Sequence, residues 1–395
     1  MTAGEGEART GAATRFPPDL VRRIVAHMEA GTLDTAPHTM TEPASVFTDR
    51  DRFEREVDEL FRHGAHVVGW TGELAGPNTS GTKLVAGLPV LITRDEHGEL
   101  HAFRNACTHR GAQVAHEECG SARRLTCPYH SWSFDLAGRL AGQPDADAFA
   151  DLDPAELGLQ PLPLADVAGL LVVGLSDDVD PAAEFAEIAP HLQWCGYPNH
   201  EVVCRHEWQV QANWKIAFDV NLEGYHIAHL HRETLHSFVV NNSIYDTFGR
   251  HARWGFPTRA MAESVGVPEH EWPDPAPISI IHTFFPSCIV LETPVSSQMF
   301  RIYPGAHPGV CTVELIEASL RPVGSEDERA ARKAGADFAA VVVGTEDFPA
   351  AEQCQLGAEV GLTHFRFGTN EPMLQHWHHV WREAIEDVEV TDTGA

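Results

Sequence analysis

The alternation of apolar and polar positions divides the chain into a helical start, a β-rich middle and a mixed second half. After the polar residues 1–14, for which we expect disorder, apolar residues recur at helical spacing from Leu20 to Met28. A proline pair just before this run suits the first turn of a helix. A second helix is predicted to begin near Thr48 or Asp49. Its buried stripe is formed by Phe53, Val57, Leu60 and Phe61.

Short β-runs interrupted by glycine and proline occupy residues 65–175, which indicates a small β domain. Beyond about Asp180 strands and helices alternate, and residues 278–320 are typical of an antiparallel meander. The clearest runs of the first region are Gly87–Asp95, Glu99–Asn105 and Val167–Leu175. The predicted helices of the last region are Glu326–Val343, Glu346–Glu359 and Glu371–Glu386. At 395 residues the chain is long enough for two domains.

The charge of the chain excludes some classes of partner. Lys+Arg number 28 and Asp+Glu 57, a formal net charge of -29 that repels nucleic acid and anionic membrane surfaces. No stretch of about 18 apolar residues exists, so we expect a soluble, cytoplasmic protein without membrane contact. The eight cysteines are scattered along a large chain, which is not typical of a disulfide framework.

Two Cys-His pairs carry the most informative chemistry of the β domain. Cys107 with His109, and Cys127 with His130, form a CxH and a CxxH loop with 17 residues between them. A [2Fe–2S] cluster of the Rieske kind needs two thiolates on one iron and two imidazoles on the other. Two Cys and two His also make a closed zinc site, but zinc loops commonly pair Cys with Cys and His with His. The interleaved order therefore favours an electron-carrying cluster over structural zinc.

A second group of histidines lies in residues 213–231, where His226, His229 and His231 follow two acidic residues. Two imidazoles and one carboxylate with open coordination positions bind non-haem Fe(II) in sites that activate O₂. Helical geometry alone would pair His226 with His229, which are three residues apart on one face. Because the chain is rich in histidine, these residues can equally be plain core or surface residues, and the residues alone leave both interpretations open.

The two cluster loops resemble those of a known family. CTHRGA (residues 107–112) and CPYHSWSFDLAGRL (residues 127–140) are similar to the two loops of Rieske proteins. In that family the two Cys-His pairs hold the cluster irons. The resemblance also implies that Tyr129 donates a hydrogen bond toward a cluster sulfur or ligating thiolate. Ser131 departs from the glycine that the family more often has at this place.

The segment NWKIAFDVNLEGYHIAHLH (residues 213–231) resembles the iron-binding helix of Rieske non-haem iron oxygenases. The resemblance assigns His226 and His231 as iron ligands, and Asp347 in the segment TEDFPAAEQ as the third ligand. Residues five apart lie about 140° apart on an ideal helix. We therefore predict that the helix is distorted, as by a π-bulge, or ends between the two histidines. His229 then becomes a neighbouring or core residue.

Glu223 has a separate role in this resemblance. An acid at its position accepts hydrogen bonds from an iron-binding histidine and from a cluster histidine of the neighbouring subunit, which correspond to His226 and His130. A carboxylate can bridge two imidazole N–H groups and orient the contacts at both metals. A homotrimer follows from the same resemblance, because the family passes electrons between neighbouring subunits.

The resemblance implies an α+β fold: a small all-β Rieske [2Fe–2S] domain, and a helix-grip (START/SRPBCC-like) catalytic domain with an antiparallel sheet. We assign residues 1–45 to an N-terminal extension that is partly helical, 46–180 to the Rieske domain and 181–395 to the catalytic domain with its mononuclear iron. A mostly apolar substrate pocket is expected beside this iron. The candidates to line it are Phe218, Trp254, His282, Phe284, Phe285, Cys288, Ile289 and Met299.

The predicted function is that of a terminal oxygenase, which uses O₂ to hydroxylate, dihydroxylate or oxidatively demethylate a small organic molecule. No GxGxxG motif opens a βαβ unit, so electrons from NAD(P)H have to arrive through a separate reductase or ferredoxin. Two alternatives remain, a Rieske-type electron-transfer protein without oxygenase activity and a zinc-stabilised binding protein.

Overall fold

The computed structural model describes residues 15–392, and their side chains up to residue 386. The disorder predicted for residues 1–14 lies outside the described residues. The helices are α1 (Pro18–Ala30), α2 (Arg50–Glu56), α3 (Pro181–Glu184), α4 (Trp214–Asp219), α5 (Glu326–Val342), α6 (Phe348–Glu359) and α7 (Pro372–Asp392). Single π-helical turns at Val57–Arg62 and Val343–Asp347 continue α2 and α5.

The strands pair in antiparallel sheets. Those of the first half are β1 (Met40–Pro43), β2 (Ala65–Trp70), β3 (Thr79–Val85), β4 (Leu88–Arg94), β5 (Leu100–Arg104), β6 (Gly120–Ser121), β7 (Leu125–Thr126), β8 (Ser133–Phe134), β9 (Leu140–Gly142), β10 (Pro161–Leu162), β11 (Leu164–Val167) and β12 (Leu170–Gly174). Those of the second half are β13 (Glu201–Val210), β14 (Ile244–Phe248), β15 (His251–Pro257), β16 (Ile278–Phe284), β17 (Cys288–Glu292), β18 (Ser296–Pro304), β19 (Cys311–Ser319) and β20 (His364–Phe367).

Three small sheets build the β domain, in the strand orders β10-β5-β4-β3-β6, β11-β12-β2 and β7-β8-β9. The predicted strands in Gly87–Asp95 and Glu99–Asn105 are confirmed as β4 and β5. The run Val167–Leu175, however, is not one strand, because it turns at Ala168 and Gly169, whose φ angles are +52° and +96°. Two consecutive positive φ values are typical of a two-residue hairpin turn.

A seven-stranded sheet in the order β13-β19-β18-β17-β16-β15-β14 forms the second half of the fold. The predicted meander is confirmed as β16 to β19, and the predicted α+β class is confirmed with it. One face of this sheet packs under α4 and α7, through residues such as Ile281 and Trp377. The other face packs against the β11-β12-β2 sheet, through residues such as Met299 and Val172. The catalytic sheet is therefore buried on both sides.

The segment 46–62, which the sequence analysis groups with the Rieske domain, packs in the core beneath the seven-stranded sheet. Phe47 and Phe61 are fully buried there together with Trp214 and Trp381. The ring centroids of Phe61 and Trp214 lie 5.0 Å apart, edge to face. The two predicted helices before the β domain are present: Asp49 caps α2 by accepting a hydrogen bond from the Arg52 N–H at 2.7 Å.

An ion network joins the β domain to the catalytic sheet. Arg205 on β13 lies 2.7 Å from Glu73 and 2.9 Å from Glu118, which both belong to the β domain. It also lies 3.0 Å from Glu314 on β19 of the catalytic sheet. Lys83 lies 2.6 Å from the same Glu73 carboxylate. Burial of Glu73 opposes its ionisation, but Lys83 and Arg205 outweigh this effect and lower its pKa. The carboxylate is therefore charged and shared between the two domains.

We predict that Arg205→Ala lowers the melting temperature by roughly 5 °C, because it leaves three carboxylates short of a counter-charge and costs about 2 kcal/mol. Arg62→Ala is the matched control: Arg62 pairs with Asp58 on the surface, where both side chains are about half exposed, and its loss should shift the melting temperature by less than about 1 °C. Equal shifts in thermal unfolding for the two variants would contradict this account.

Candidate active site

The two Cys-His loops repeat one backbone geometry. In the first loop the Cys107 carbonyl accepts from the Gly111 N–H at 2.7 Å, and the Cys107 N–H donates to the Ala112 carbonyl at 2.8 Å. In the second loop the Cys127 carbonyl accepts from the Ser131 N–H at 3.0 Å, and the Cys127 N–H donates to the Trp132 carbonyl at 2.8 Å. Each cysteine is thus fixed by bonds to the residues four and five positions later.

The donor atoms of the loops fit a two-iron cluster. The Cys107 and Cys127 side chains are buried, and Nδ1 of His109 and of His130 is buried without a hydrogen-bond partner. The two imidazole centroids lie 4.5 Å apart. Among the described residues, three groups of potential ligands converge within 4.8 Å, and none of them contains these four side chains. A single zinc ion requires such convergence, whereas a cluster separates its thiolate and imidazole ends.

Tyr129 lies at the surface beside the second cluster loop. The residue is 56% exposed, and its ring centroid lies 3.7 Å from that of His130, with the Arg110 guanidinium 5.2 Å from the ring centroid. Its hydrogen bond toward a cluster sulfur or thiolate stays a prediction. On the inner side His109 stacks on Trp132, at 5.0 Å between ring centroids.

Three side chains converge beneath the seven-stranded sheet. Nε2 of His226 and Nε2 of His231 lie 3.1 Å apart, and an Asp347 carboxylate oxygen lies 3.6 Å and 3.1 Å from them respectively. That oxygen, Oδ1, is buried and has no hydrogen-bond donor. The structure thus brings together the two histidines and the aspartate that the sequence predicted as iron ligands.

Two glutamates orient the imidazoles. Oε1 of Glu223 lies 2.5 Å from His226 Nδ1, and Oε2 of Glu346 lies 2.5 Å from His231 Nδ1. A carboxylate can only accept, so each Nδ1 carries the proton and each Nε2 presents a lone pair. Two lone pairs 3.1 Å apart, beside an unpaired carboxylate oxygen, repel one another unless a cation lies among them. The donor set therefore fits a divalent metal.

The charge around His231 has a further effect on that side chain. Burial disfavours its protonation, but the adjacent carboxylates of Asp347 and Glu346 outweigh burial and raise its pKa. Glu346 also accepts from the Thr234 hydroxyl at 2.8 Å. This role of Glu346 was not predicted from the sequence, although its position next to Asp347 was a usable signal.

The backbone around the triad is irregular, as the spacing of the histidines required. Helix α4 ends at Asp219, so both histidines lie in a series of turns, where the Leu230 N–H donates to the His226 carbonyl at 2.8 Å. The π-helical turn predicted near the histidines lies instead at Val343–Asp347, where it carries Asp347. A Cβ on Gly224 would lie 2.7 Å from Asn241 Oδ1, so a larger residue there would displace the Asn241 side chain.

His229 is excluded from the triad, as predicted, but it is not a core residue. The side chain is exposed, and its ring packs edge-on to Tyr225 at 5.9 Å between centroids. The turn at residues 226–230 directs it away from the metal-binding side.

A cavity of about 280 Å³ opens onto the triad. Its walls come from the β15–β18 face of the sheet and from α5. The apolar lining includes Ile227, Leu235, Val239, Trp254, Phe256, Ile281, Ile289, Leu291, Phe300, Phe338 and Val342. The polar lining beyond the triad is Asn221, Glu223, Ser279 and Gln298.

Only Trp254 and Ile289 of the predicted pocket residues line this cavity, and the prediction is wrong for the other six. His282, Phe284, Cys288 and Met299 occupy alternate positions of β16, β17 and β18 and point to the opposite face of the sheet. Phe218 packs between Trp377 and Trp381, with its ring centroid 4.9 Å and 5.5 Å from theirs. Phe285 stacks on Trp377 and lies under the Arg250 guanidinium.

Ser131 occupies a strained position in the second cluster loop. Its φ of +60° matches the +77° of Gly111 at the equivalent place in the first loop. A side chain at positive φ costs about 1 kcal/mol. We predict that Ser131→Gly raises the temperature at which the visible absorption of the cluster is lost by about 1–3 °C.

Gly111→Ser is the reverse substitution at the equivalent position of the first loop. A Cβ at Gly111 meets no atom within 4 Å, so only the backbone conformation is affected. This substitution should lower the same temperature by a similar amount. A destabilising Ser131→Gly would show that the serine hydroxyl contributes more than the strain costs.

Models of known protein families match both the region of the cluster loops and the region of the triad. The model of the Rieske [2Fe-2S] domain matches residues 65–161, and the model described as "Ring hydroxylating alpha subunit (catalytic domain)" matches residues 197–387. The first match removes the zinc-stabilised alternative for the cluster loops. The second removes the alternative of an electron carrier without a catalytic domain.

Two curated relatives are similar over part of their length. The glycine betaine monooxygenase oxygenase subunit of Chromohalobacter salexigens is 33% identical over 205 residues, which cover 51% of this chain and 45% of that protein. The chloroplastic choline monooxygenase of Beta vulgaris is 31% identical over 207 residues, which cover 49% and 45%. The matched region therefore spans less than half the length of either relative.

The quaternary ammonium Rieske monooxygenase CntA, solved in complex with L-carnitine, has a similar fold. The TM-score is 0.75 at 21% sequence identity, over 94% of this chain and 99% of that chain. With the two family models covering both metal-binding regions, the chain belongs to the Rieske non-haem iron oxygenases, as an alpha subunit with a [2Fe–2S] domain and a mononuclear-iron catalytic domain.

Proposed function

We propose that the protein is the terminal oxygenase of a Rieske system and hydroxylates a C–H bond of a small molecule that has an apolar body and no anionic group. The cavity that opens onto the triad is the observation that carries this proposal. One atom of O₂ enters the C–H bond and the other leaves as water, with two electrons and two protons consumed. Hydroxylation of an N-methyl carbon ends in loss of formaldehyde, so demethylation belongs to the same reaction class.

The proposed iron ligands are Nε2 of His226, Nε2 of His231 and the Asp347 carboxylate, and the proposed cluster ligands are Cys107, His109, Cys127 and His130. When bound, the iron supplies the open coordination positions at which O₂ is activated. The short contacts of Glu223 and Glu346 support this assignment, because each holds a proton on the Nδ1 of one histidine and directs the opposite nitrogen to the iron side.

The cavity lining supports a neutral or cationic substrate. The lining residues in the described part of the chain include no arginine or lysine, so no cationic side chain there would pair with a carboxylate or phosphate group. Trp254 and Phe256, whose ring centroids lie 4.6 Å apart, offer aromatic faces to an alkylammonium group. Glu223 also lines the cavity and adds a negative charge that favours a cation, whereas the charge of Asp347 is offset by the metal that it is proposed to bind. A quaternary or tertiary amine without a carboxylate is therefore the proposed substrate class.

The electron donor is proposed to be a separate reductase or ferredoxin. Arg110, Arg123 and Arg124 are exposed around the cluster loops of this otherwise acidic chain, and they suit an acidic donor surface. Arg104 does not belong to this surface, because its guanidinium donates to the Leu175 carbonyl at 2.9 Å.

A homotrimer completes the proposed electron path. Glu223 would accept from His130 of the partner subunit while it holds His226 of its own chain. An exposed aromatic residue lies at each end of this path: Tyr225, two residues after Glu223, is 60% exposed, and Tyr129, next to His130, is 56% exposed. Burial of such side chains between subunits would stabilise the assembly.

We also propose that the protein is cytoplasmic. No described helix has the length and apolar character needed to cross a bilayer. None of the eight cysteines, all of which lie in the described residues, forms a disulfide, which is typical of a reducing compartment.

We predict that His231→Ala removes the mononuclear iron, so that iron falls from about three to about two per two acid-labile sulfides. His229→Ala is the matched control three positions from His226, and it should keep the full iron content because its side chain is exposed. Iron loss in the control, with retention in His231→Ala, would reverse the ligand assignment.

We predict that Glu223→Gln keeps both metals but lowers steady-state turnover at least about tenfold. A glutamine oxygen can still accept from His226, yet its amide group cannot accept from a second imidazole N–H. Glu233→Gln, an exposed change of the same type, should leave turnover unaltered. Normal turnover in Glu223→Gln would refute the bridging role.

The proposed function is tested by turnover of the holoenzyme with a surrogate reductase, with O₂ uptake, formaldehyde and product mass as readouts. We expect choline and apolar tertiary amines to react with gain of one oxygen or loss of a methyl group, and glycine betaine and L-carnitine to react poorly. Reaction of the carboxylated substrates alone would refute the substrate class. Gain of two oxygens on an aromatic hydrocarbon, with no reaction of amines, would refute hydroxylation in favour of dihydroxylation.

A further inference from the structure

A second group of potential metal ligands lies on the face of the seven-stranded sheet away from the substrate cavity. Sγ of Cys195, an imidazole nitrogen of His282 and a carboxylate oxygen of Glu292 all lie within 4.8 Å of one another. Their side chains are at most 2% exposed. Cys195 comes from the turns before β13, and the other two residues come from β16 and β17.

The polar atoms of this group lack partners. Both ring nitrogens of His282 are buried without a hydrogen bond, and so is Oε1 of Glu292. Buried polar groups in folded proteins are nearly always paired, and a neutral imidazole always has one nitrogen that needs a donor or a metal. The Tyr197 hydroxyl lies against Cys195 and Glu292 and also lacks a well-formed hydrogen bond. Four polar atoms of the group and its neighbour Tyr197 are therefore buried and unpaired.

The second oxygen of Glu292 is held in place. Its Oε2 accepts from the Arg15 guanidinium at 2.6 Å and from the Ser297 hydroxyl at 2.5 Å. His200 in turn contacts the Ser297 hydroxyl at 2.7 Å. Because Arg15 and Ser297 both donate to Oε2, the carboxylate is held in one orientation and Oε1 is left without a donor. Outer contacts of this type are typical of metal-ligating carboxylates.

The group is separate from the iron site. Ile281 lines the substrate cavity, whereas the next residue, His282, points to the opposite face. His282 is surrounded there by the rings of Trp194 and Phe284, with centroids 5.6 Å and 6.2 Å away. A side chain predicted to contact substrate thus belongs to a different buried cluster.

We propose that Cys195, His282 and Glu292 bind a zinc ion that is distinct from both iron centres. One thiolate, one imidazole and one carboxylate are a ligand set that zinc accepts in four-coordinate sites, and Tyr197 or a water closes the fourth side. Binding releases the thiol proton and needs no redox partner. The ion ties the turns before β13 and the segment of Arg15 to the back of the catalytic sheet, so its role is structural.

The test is metal analysis of the full-length holoenzyme as purified. We expect one zinc per chain in addition to the iron of the two centres, and a zinc K-edge X-ray absorption spectrum with one sulfur ligand at about 2.3 Å. The zinc edge is separate from the iron edge, so the cluster does not interfere. Absence of stoichiometric zinc, or a zinc environment without sulfur, would overturn the proposal.

Cys195→Ala should lose the zinc and keep the iron. Cys288→Ala removes a thiol from the same buried core without touching the group, and it should keep both metals. Cys204→Ala should also keep the zinc, although Cys204 lies near His206 and Asp337 in another, half-exposed group. Zinc that persists in Cys195→Ala, or that is lost in Cys204→Ala, would overturn the assignment. If Cys195→Ala does not fold, Glu292→Gln provides the same zinc-to-iron comparison.

Discussion

The double burial of the seven-stranded sheet is the constraint on which the other features depend. Successive side chains of a strand point to opposite faces, so adjacent residues of β16 serve different purposes. Ile281 borders the substrate cavity under the helices, and His282 faces the Cys195 group next to the β domain. A one-residue shift of register would exchange these two environments. The pairing of β16 with β15 and β17 therefore fixes the positions of both sites.

The features that could be predicted from sequence are those set by short-range contacts. Each cluster loop is closed by hydrogen bonds within six residues, so its motif is sufficient to define its geometry. The helices of the last region and the meander also follow local periodicity. The substrate pocket could not be predicted in this way, because Ile278–Phe284 is buried on both faces and its apolar run shows no alternation. Without a polar face, nothing in the run indicates which of Ile281 and His282 borders the cavity.

The orientation of the proposed iron ligands depends on contacts between distant segments. Glu346 and Asp347 are neighbours in sequence, yet they act on different atoms of His231: one contacts Nδ1 and the other contacts Nε2. This is possible because the π-helical turn widens the helix at that point. The same helix is fixed to the start of α4 through Gln355, which accepts from the Asn213 N–H at 3.0 Å. The sequence motif identifies these residues, but their division of roles follows from tertiary packing.

The shared ion network has a consequence for electron delivery. Glu73 and Arg205, together with the hydrogen bond from Arg301 to the Val68 carbonyl at 3.2 Å, fix the β domain on the back of the catalytic sheet. These contacts hold the cluster loops at a fixed place relative to the catalytic sheet of their own chain. In the proposed assembly, the distance from those loops to the partner subunit's triad would therefore be set by how the subunits dock.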